Sequence, residues 1–216
     1  MKRYFYKETG MYIDWSQLEK LPDIDTLIDI GIGPEGTPDL YEKFKKKKLI
    51  LVDPLDEAEK FFTNNMEGFD AMFFKTALGE TKGSVSINVE EQIGRSTILD
   101  VADINFEGEP FEKRIIPIDT LDAVLAGNDL GKVGLKIDTE GYELNVVRGA
   151  TNILAQSKFV IAEVRHNHES FKEVYKLNDF VLEMQTNGFI LTMILTAKPF
   201  IADLCFQPLK DLHPPY

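Results

Sequence analysis

The first chemical signal in the chain lies in "LIDIGIGPEGTPDLY" (27–41), where Gly31, Gly33 and Gly36 stand in G-x-G-x-x-G spacing. Asp29 precedes the first glycine, and Asp53 closes the next apolar run, "KLILVDP" (48–54). Glycines allow a tight turn and close approach of a ligand to the backbone. A carboxylate at the end of a second strand can accept hydrogen bonds from both hydroxyls of a ribose. Strand, glycine turn, helix and acidic residue in this order are how a doubly wound sheet holds an adenosine-containing cofactor. Ordinary turn glycines and a surface aspartate are the plainer alternative, which the combined pattern disfavours.

Charge narrows the choice of cofactor. A dinucleotide places its pyrophosphate at the helix N-terminus, where amide groups and the helix dipole favour anions. Asp29, Glu35 and Asp39 crowd that end here. They suit instead the ammonium and sulfonium of S-adenosylmethionine, both cationic. A nicotinamide-dependent oxidoreductase would use the same turn with a neutral or basic phosphate end.

A second group of reactive side chains lies in "GLKIDTEGYELNVVRGATNILAQSKFVIAEV" (134–164) and just beyond it. Asp138 and Glu140 fit two roles, contact with a cofactor or substrate and capping of the helix that follows. His166 is a base by type, since its unperturbed pKa lies near neutrality; the bland alternative is a solvated loop residue, and His168 is a weaker candidate. Glu163 ends an apolar run and needs a partner if buried. Asp138, Glu163, His166 and His168 could in principle ligate a divalent ion, but their spacing is not a metal signature and no metal is expected. Arg95, Ser96 and Thr97 are candidates to face a substrate.

The elements that must position these residues alternate. "TLIDIGI" (26–32), "KLILVDP" (48–54), "FDAMFFKTAL" (69–78), "VGLKIDTEG" (133–141) and "FVIAEV" (159–164) have the near-continuous apolar character of strands buried on both faces. Between them, "TPDLYEKFKKKK", "DEAEKFFTNN", "YELNVVRGATNILAQ" and "ESFKEVYKLNDFVLEMQTNG" have helical periodicity, the first with Thr37 as N-cap and Pro38 at the first helical position. The pattern predicts an α/β protein with a mostly parallel sheet covered by helices on both faces. Residues 79–118 read as an inserted hairpin with extended segments. "FILTMILTA" and "ADLCFQPL" read as a final antiparallel pair, because their link is too short for a parallel crossover.

The stretch 134–164 closely resembles the FkbM family of S-adenosylmethionine-dependent methyltransferases. The matching positions are Ile137, Asp138, Glu140, Gly141, Glu143, Gly149, Ala150 and Glu163, and the likeness extends to "IDIGIG", "LVDP", "TALGETKGSVSI" and "IDTLDAVL". It implies a Rossmann-like class I methyltransferase fold with seven strands, the last antiparallel. It further implies S-adenosyl-L-methionine as cofactor and O-methylation of a hydroxyl on a sugar or other small metabolite. Asp29, Gly31, Gly33, Thr37, Asp53, Ala77 and Asp138 are then the expected cofactor contacts, with His166, Asp138 and Glu140 as catalytic candidates. Two departures stand out: Pro34 and Glu35 replace a more ordinary glycine turn, and the extension before the first strand, residues 1–25, is short. A domain that binds the nucleoside without turnover stays open as an alternative.

Composition sets the outer limits. With 216 residues, 44% of them hydrophobic, a single domain with a full core is expected. The formal charge of −12, from 36 acidic and 24 basic side chains, argues against nucleic acid as principal partner. Cys205 is the lone cysteine, which fits a reducing compartment. The start carries no apolar signal core and no stretch is long enough for a membrane span, so a soluble cytoplasmic protein is expected, with homo-oligomerisation left open.

Overall fold

The computed structural model describes residues 4–6, 11–13, 15–99, 112–165, 175–197 and 200–212. In chain order the strands are β1 (Tyr4–Tyr6), β2 (Met11–Ile13), β3 (Thr26–Ile30), β4 (Lys48–Val52), β5 (Ala71–Phe74), β6 (Ala77–Leu78), β7 (Gly83–Val89), β8 (Glu112–Asp119), β9 (Val133–Ile137), β10 (Ser157–Arg165), β11 (Phe189–Ala197) and β12 (Ile201–Pro208). The helices are α1 (Pro38–Lys43), α2 (Asp56–Asn65), α3 (Leu121–Val124), α4 (Glu143–Arg148), α5 (Thr151–Gln156) and α6 (Leu177–Thr186).

The main sheet runs β5-β4-β3-β9-β10-β12-β11, with β2 and β1 added beyond β11. Strands β5, β4, β3, β9 and β10 are parallel, whereas β12 lies antiparallel between β10 and β11. These seven strands are the expected Rossmann-like arrangement with an antiparallel last strand. The two N-terminal strands extend its edge.

The central strands β3, β4, β9 and β10 are buried on both faces, which is why they are mostly apolar. Ile28, Ile50, Leu135 and Val160 face one core with α3 to α6, where Leu121, Val147, Ile153 and Phe180 meet them. Leu27, Leu49, Phe159 and Ile161 face the other with α1 and α2, against Leu40, Tyr41, Phe44 and Ala58. Alternation along β3 therefore sends Asp29 toward α1, on the same side as Leu27.

Three local differences from the expected elements have physical causes. The segment 69–78 forms two strands, because β6 leaves the main sheet and pairs with β8. With β7 antiparallel to β8, these strands make a small second sheet from the inserted segment. The helical pattern 142–156 breaks at Gly149, where a Cβ would sit 2.0 Å from the Gly79 carbonyl oxygen. Only glycine permits that approach, and it docks the start of the insertion onto the helical layer. Finally, α1 ends at Lys43, so Lys45 to Lys47 lie in a turn and Lys48 opens β4. No helix among the described residues is long and apolar enough to cross a membrane.

Candidate active site

At the carboxyl ends of β3 and β4 the chain makes the glycine turn. Gly31, Gly33 and Gly36 have φ of +77°, +53° and +60°, a region that penalises side chains with a Cβ. A Cβ on Gly31 would lie 1.8 Å from the carbonyl oxygen of Asp138, the residue that follows β9. Gly31 donates its amide to Val52 and Asp138 donates its own to Ile30, each at 2.9 Å, so three strand ends are held together here.

Asp53 sits at the end of β4, 5% exposed. Its two carboxylate oxygens accept from the Gly33 amide at 3.0 Å and the Leu55 amide at 2.9 Å. Burial pushes its pKa up to about 6 despite those two bonds. Each oxygen keeps further acceptor capacity, and Asp53 lines the cavity.

That cavity, about 1050 Å³, opens above the strand ends. Its wall comprises residues 30–37 of the glycine turn, 52–55 at the end of β4, 76–78 around β6, 90–96 of the insertion and 138–140 after β9. Glu163 and Arg165 of β10 and Phe200 before β12 line it too, with Ile87, Ile98 and Ile201. The candidates Gly31, Gly33, Thr37, Asp53, Ala77, Asp138 and Glu140 thus converge on one space. Asp29 does not line it. Its carboxylate is 1% exposed beneath the turn and accepts the Tyr41 hydroxyl at 2.5 Å. Burial raises the pKa of Asp29, opposed by that hydrogen bond and by Lys136. Thr37 precedes α1 as expected, without a side-chain capping bond. His166 and His168 lie outside the described residues.

The far wall is ionic. Lys136, buried in the middle of β9, places its Nζ 3.0 Å from Asp138 and 3.2 Å from Asp203 of β12. Burial by itself would lower its pKa, but Asp138, Asp203, Glu163 and Asp29 outweigh that and push the ammonium pKa up. Asp203 also accepts the Thr196 hydroxyl at 2.5 Å. On the cavity side Arg165 pairs with Glu140. Glu140 has φ of +54°, the one described non-glycine residue in the left-handed region, and its carbonyl accepts the Thr97 hydroxyl at 2.8 Å. Thr97 thereby fastens the insertion to the loop after β9 instead of facing a ligand.

Carboxylate oxygens of Asp138, Glu140 and Glu163 come within 4.8 Å of one another, a grouping that could hold a cation. Lys136 already pairs with Asp138, and Arg165 with Glu140. Sequence reasoning overlooked Lys136, which looked like one polar residue in a buried strand, and Phe200, whose only signal was its place in the turn before the last strand.

A mostly parallel sheet with this strand order and a glycine turn facing an acidic strand end defines a Rossmann-like domain of the methyltransferase type. The chain belongs to the FkbM methyltransferase family: the profile of the methyltransferase FkbM domain matches residues 30–191. Among solved structures, the FkbM methyltransferase of Methylobacillus flagellatus KT superposes with a TM-score of 0.51 at 14% identity, covering 85% of this chain and 43% of that one. The chain thus spans less than half the length of that relative. Magnesium protoporphyrin IX methyltransferase from Synechocystis PCC 6803, solved with bound S-adenosylmethionine, gives a TM-score of 0.47 at 10% identity over 89% of this chain and 74% of that one. Comparison with curated protein sequences gives no match.

Proposed function

We propose that the chain is an S-adenosylmethionine-dependent methyltransferase that methylates a hydroxyl oxygen of a small acceptor, a sugar or a comparable metabolite. The observation that carries this reading is the convergence, in a chain of the FkbM family, of the glycine turn and Asp53 on one cavity with Asp138 opposite. The residues present fit the donor. The turn offers backbone at close range, Asp53 offers buried acceptors for ribose hydroxyls, and Glu35, Asp138 and Glu163 set a negative wall against a cationic group.

The donor, when bound, supplies a methyl group on a sulfonium that is already a good leaving group. What remains for the protein is to hold the acceptor oxygen in line and take its proton. Transfer would exchange the donor's carbon–sulfur bond, its electron pair left on sulfur, for a carbon–oxygen bond, with the hydroxyl proton passing to a base supplied by this chain. Asp138 and Glu140 stand at the cavity wall where such a base is needed, and His166 follows directly on β10. The insertion, through residues 90–96, forms part of the cavity wall and shapes what can enter.

The test is a turnover screen. Protein incubated with methyl-labelled S-adenosylmethionine and a panel of sugars, polyols and phenols should release S-adenosylhomocysteine and label an acid-stable, base-stable ether. Label on nitrogen or on a carboxylate instead would overturn the oxygen assignment.

A further inference from the structure

Glu143, the first residue of α4, is a fully buried carboxylate with 0% exposure. An acidic residue in a first helical turn ordinarily faces water and favours the helix dipole. Glu143 instead collects donors from elsewhere in the chain. One oxygen accepts the Thr139 amide at 2.9 Å, the Thr139 hydroxyl at 3.1 Å and the Gly141 amide at 2.9 Å. The other accepts the Tyr175 hydroxyl at 2.7 Å. Tyr175 is itself buried in the α4–α6 core and packs against Phe180, ring centroids 5.7 Å apart.

These bonds enclose the loop 138–141, the stretch whose Asp138, Thr139 and Glu140 line the cavity. That loop carries strain, with φ of +54° at Glu140, and a conformation of this kind persists only when its surroundings over-determine it. Glu143 supplies the determination from below, while Thr97 holds the Glu140 carbonyl from above. Burial raises the pKa of both Glu143 and Tyr175, and their mutual hydrogen bond keeps the proton on the tyrosine.

We infer that Glu143 and Tyr175 are positioning residues of the donor site: the buried carboxylate seats loop 138–141 against the glycine turn, and the tyrosine ties that seat to the chain returning after β10. Neither side chain lines the cavity, so both act through the loop. The inference rests on the cavity being the methyl-donor site.

Two variants test it, Tyr175→Phe and Glu143→Gln. Each is assayed by calorimetric binding of S-adenosylhomocysteine and by amide hydrogen exchange of the protein without ligand. Tyr175→Phe keeps the ring and loses one hydrogen bond, so the affinity should fall about fivefold to tenfold. Exchange should quicken across the loop 138–141 and stay unchanged in the glycine turn 31–36. Glu143→Gln keeps an acceptor for the two loop amides but sets an amide NH2 where the Tyr175 hydroxyl donates, so it too loses the tyrosine bond and its affinity should fall about fivefold to tenfold. If both variants melt earlier yet bind the nucleoside as the parent does, with loop exchange unaltered, the pair is core packing only and the inference fails. If the parent itself does not bind S-adenosylhomocysteine, the donor-site reading fails and the inference falls with it; the exchange data separate that case from the first.

Discussion

The backbone amide of Gly33 donates to the Asp53 carboxylate at 3.0 Å, linking the glycine turn after β3 to the end of β4. The two sequence features that first suggested a nucleoside site are therefore in direct contact, and the contact settles the orientation of the carboxylate before any ligand arrives.

Burial of Asp53, which outweighs this contact, makes ligand binding and stability respond to pH in opposite senses. The Asp53 pKa is raised from 3.8 to about 6 in the fold. The protonated form is thus favoured in the folded state; its contribution to stability is complete below the unfolded pKa and is lost as pH rises through about 6. The loss amounts to about 2–3 kcal/mol. Ribose hydroxyls, by contrast, donate best to the ionised carboxylate, so affinity for S-adenosylhomocysteine should fall as pH drops below about 6. Asp53→Asn should flatten both profiles, measured by urea denaturation and calorimetry from pH 4.5 to 8.

Gly31→Ala should be among the most damaging single changes in the chain. The added Cβ would meet the Asp138 carbonyl at 1.8 Å in a residue with φ of +77°. Backbone would have to move at the junction of β3, β4 and β9, at a cost of more than about 3 kcal/mol by urea unfolding. Gly68→Ala, where φ is +86° but nothing lies within 4 Å, should cost only about 1 kcal/mol and serves as the control.

Lys136→Met should destabilise the protein by about 3–5 kcal/mol, because it leaves Asp138 and Asp203 without their shared cation. Adding Asp203→Asn should recover part of that loss, and a double-mutant cycle measures the coupling. Full additivity of the two changes would show that the ion pair is not the source of the effect.

Much of this architecture is legible in the sequence, for reasons that are local. Strands β3, β4, β9 and β10 are buried on both faces, so each is a short apolar run, and the turn between β3 and α1 needs positive φ and therefore shows its glycines. What was not legible is non-local. Nothing within 69–78 says that Ala77 and Leu78 leave the main sheet for β8, and nothing within 142–156 says that Gly149 must clear the Gly79 carbonyl. The site shows the same division. Gly31, Gly33 and Asp53 meet at the cavity as their spacing suggested, and Asp138 joins them from the end of β9. Asp29 lies instead on the α1 side because strand alternation puts it there, and its partner Tyr41 belongs to another element. Lys136 was hidden because its partner Asp203 lies on the last strand, two crossovers later in the chain.

The most direct test of the central claim is calorimetric titration of the protein with S-adenosylmethionine, S-adenosylhomocysteine and NAD, with Asp53→Ala alongside. The account predicts that both sulfur nucleosides bind with one site per chain, that NAD does not, and that Asp53→Ala weakens binding about tenfold or more. Binding of NAD in preference to the sulfur nucleosides, or nucleoside binding that ignores Asp53, would contradict it.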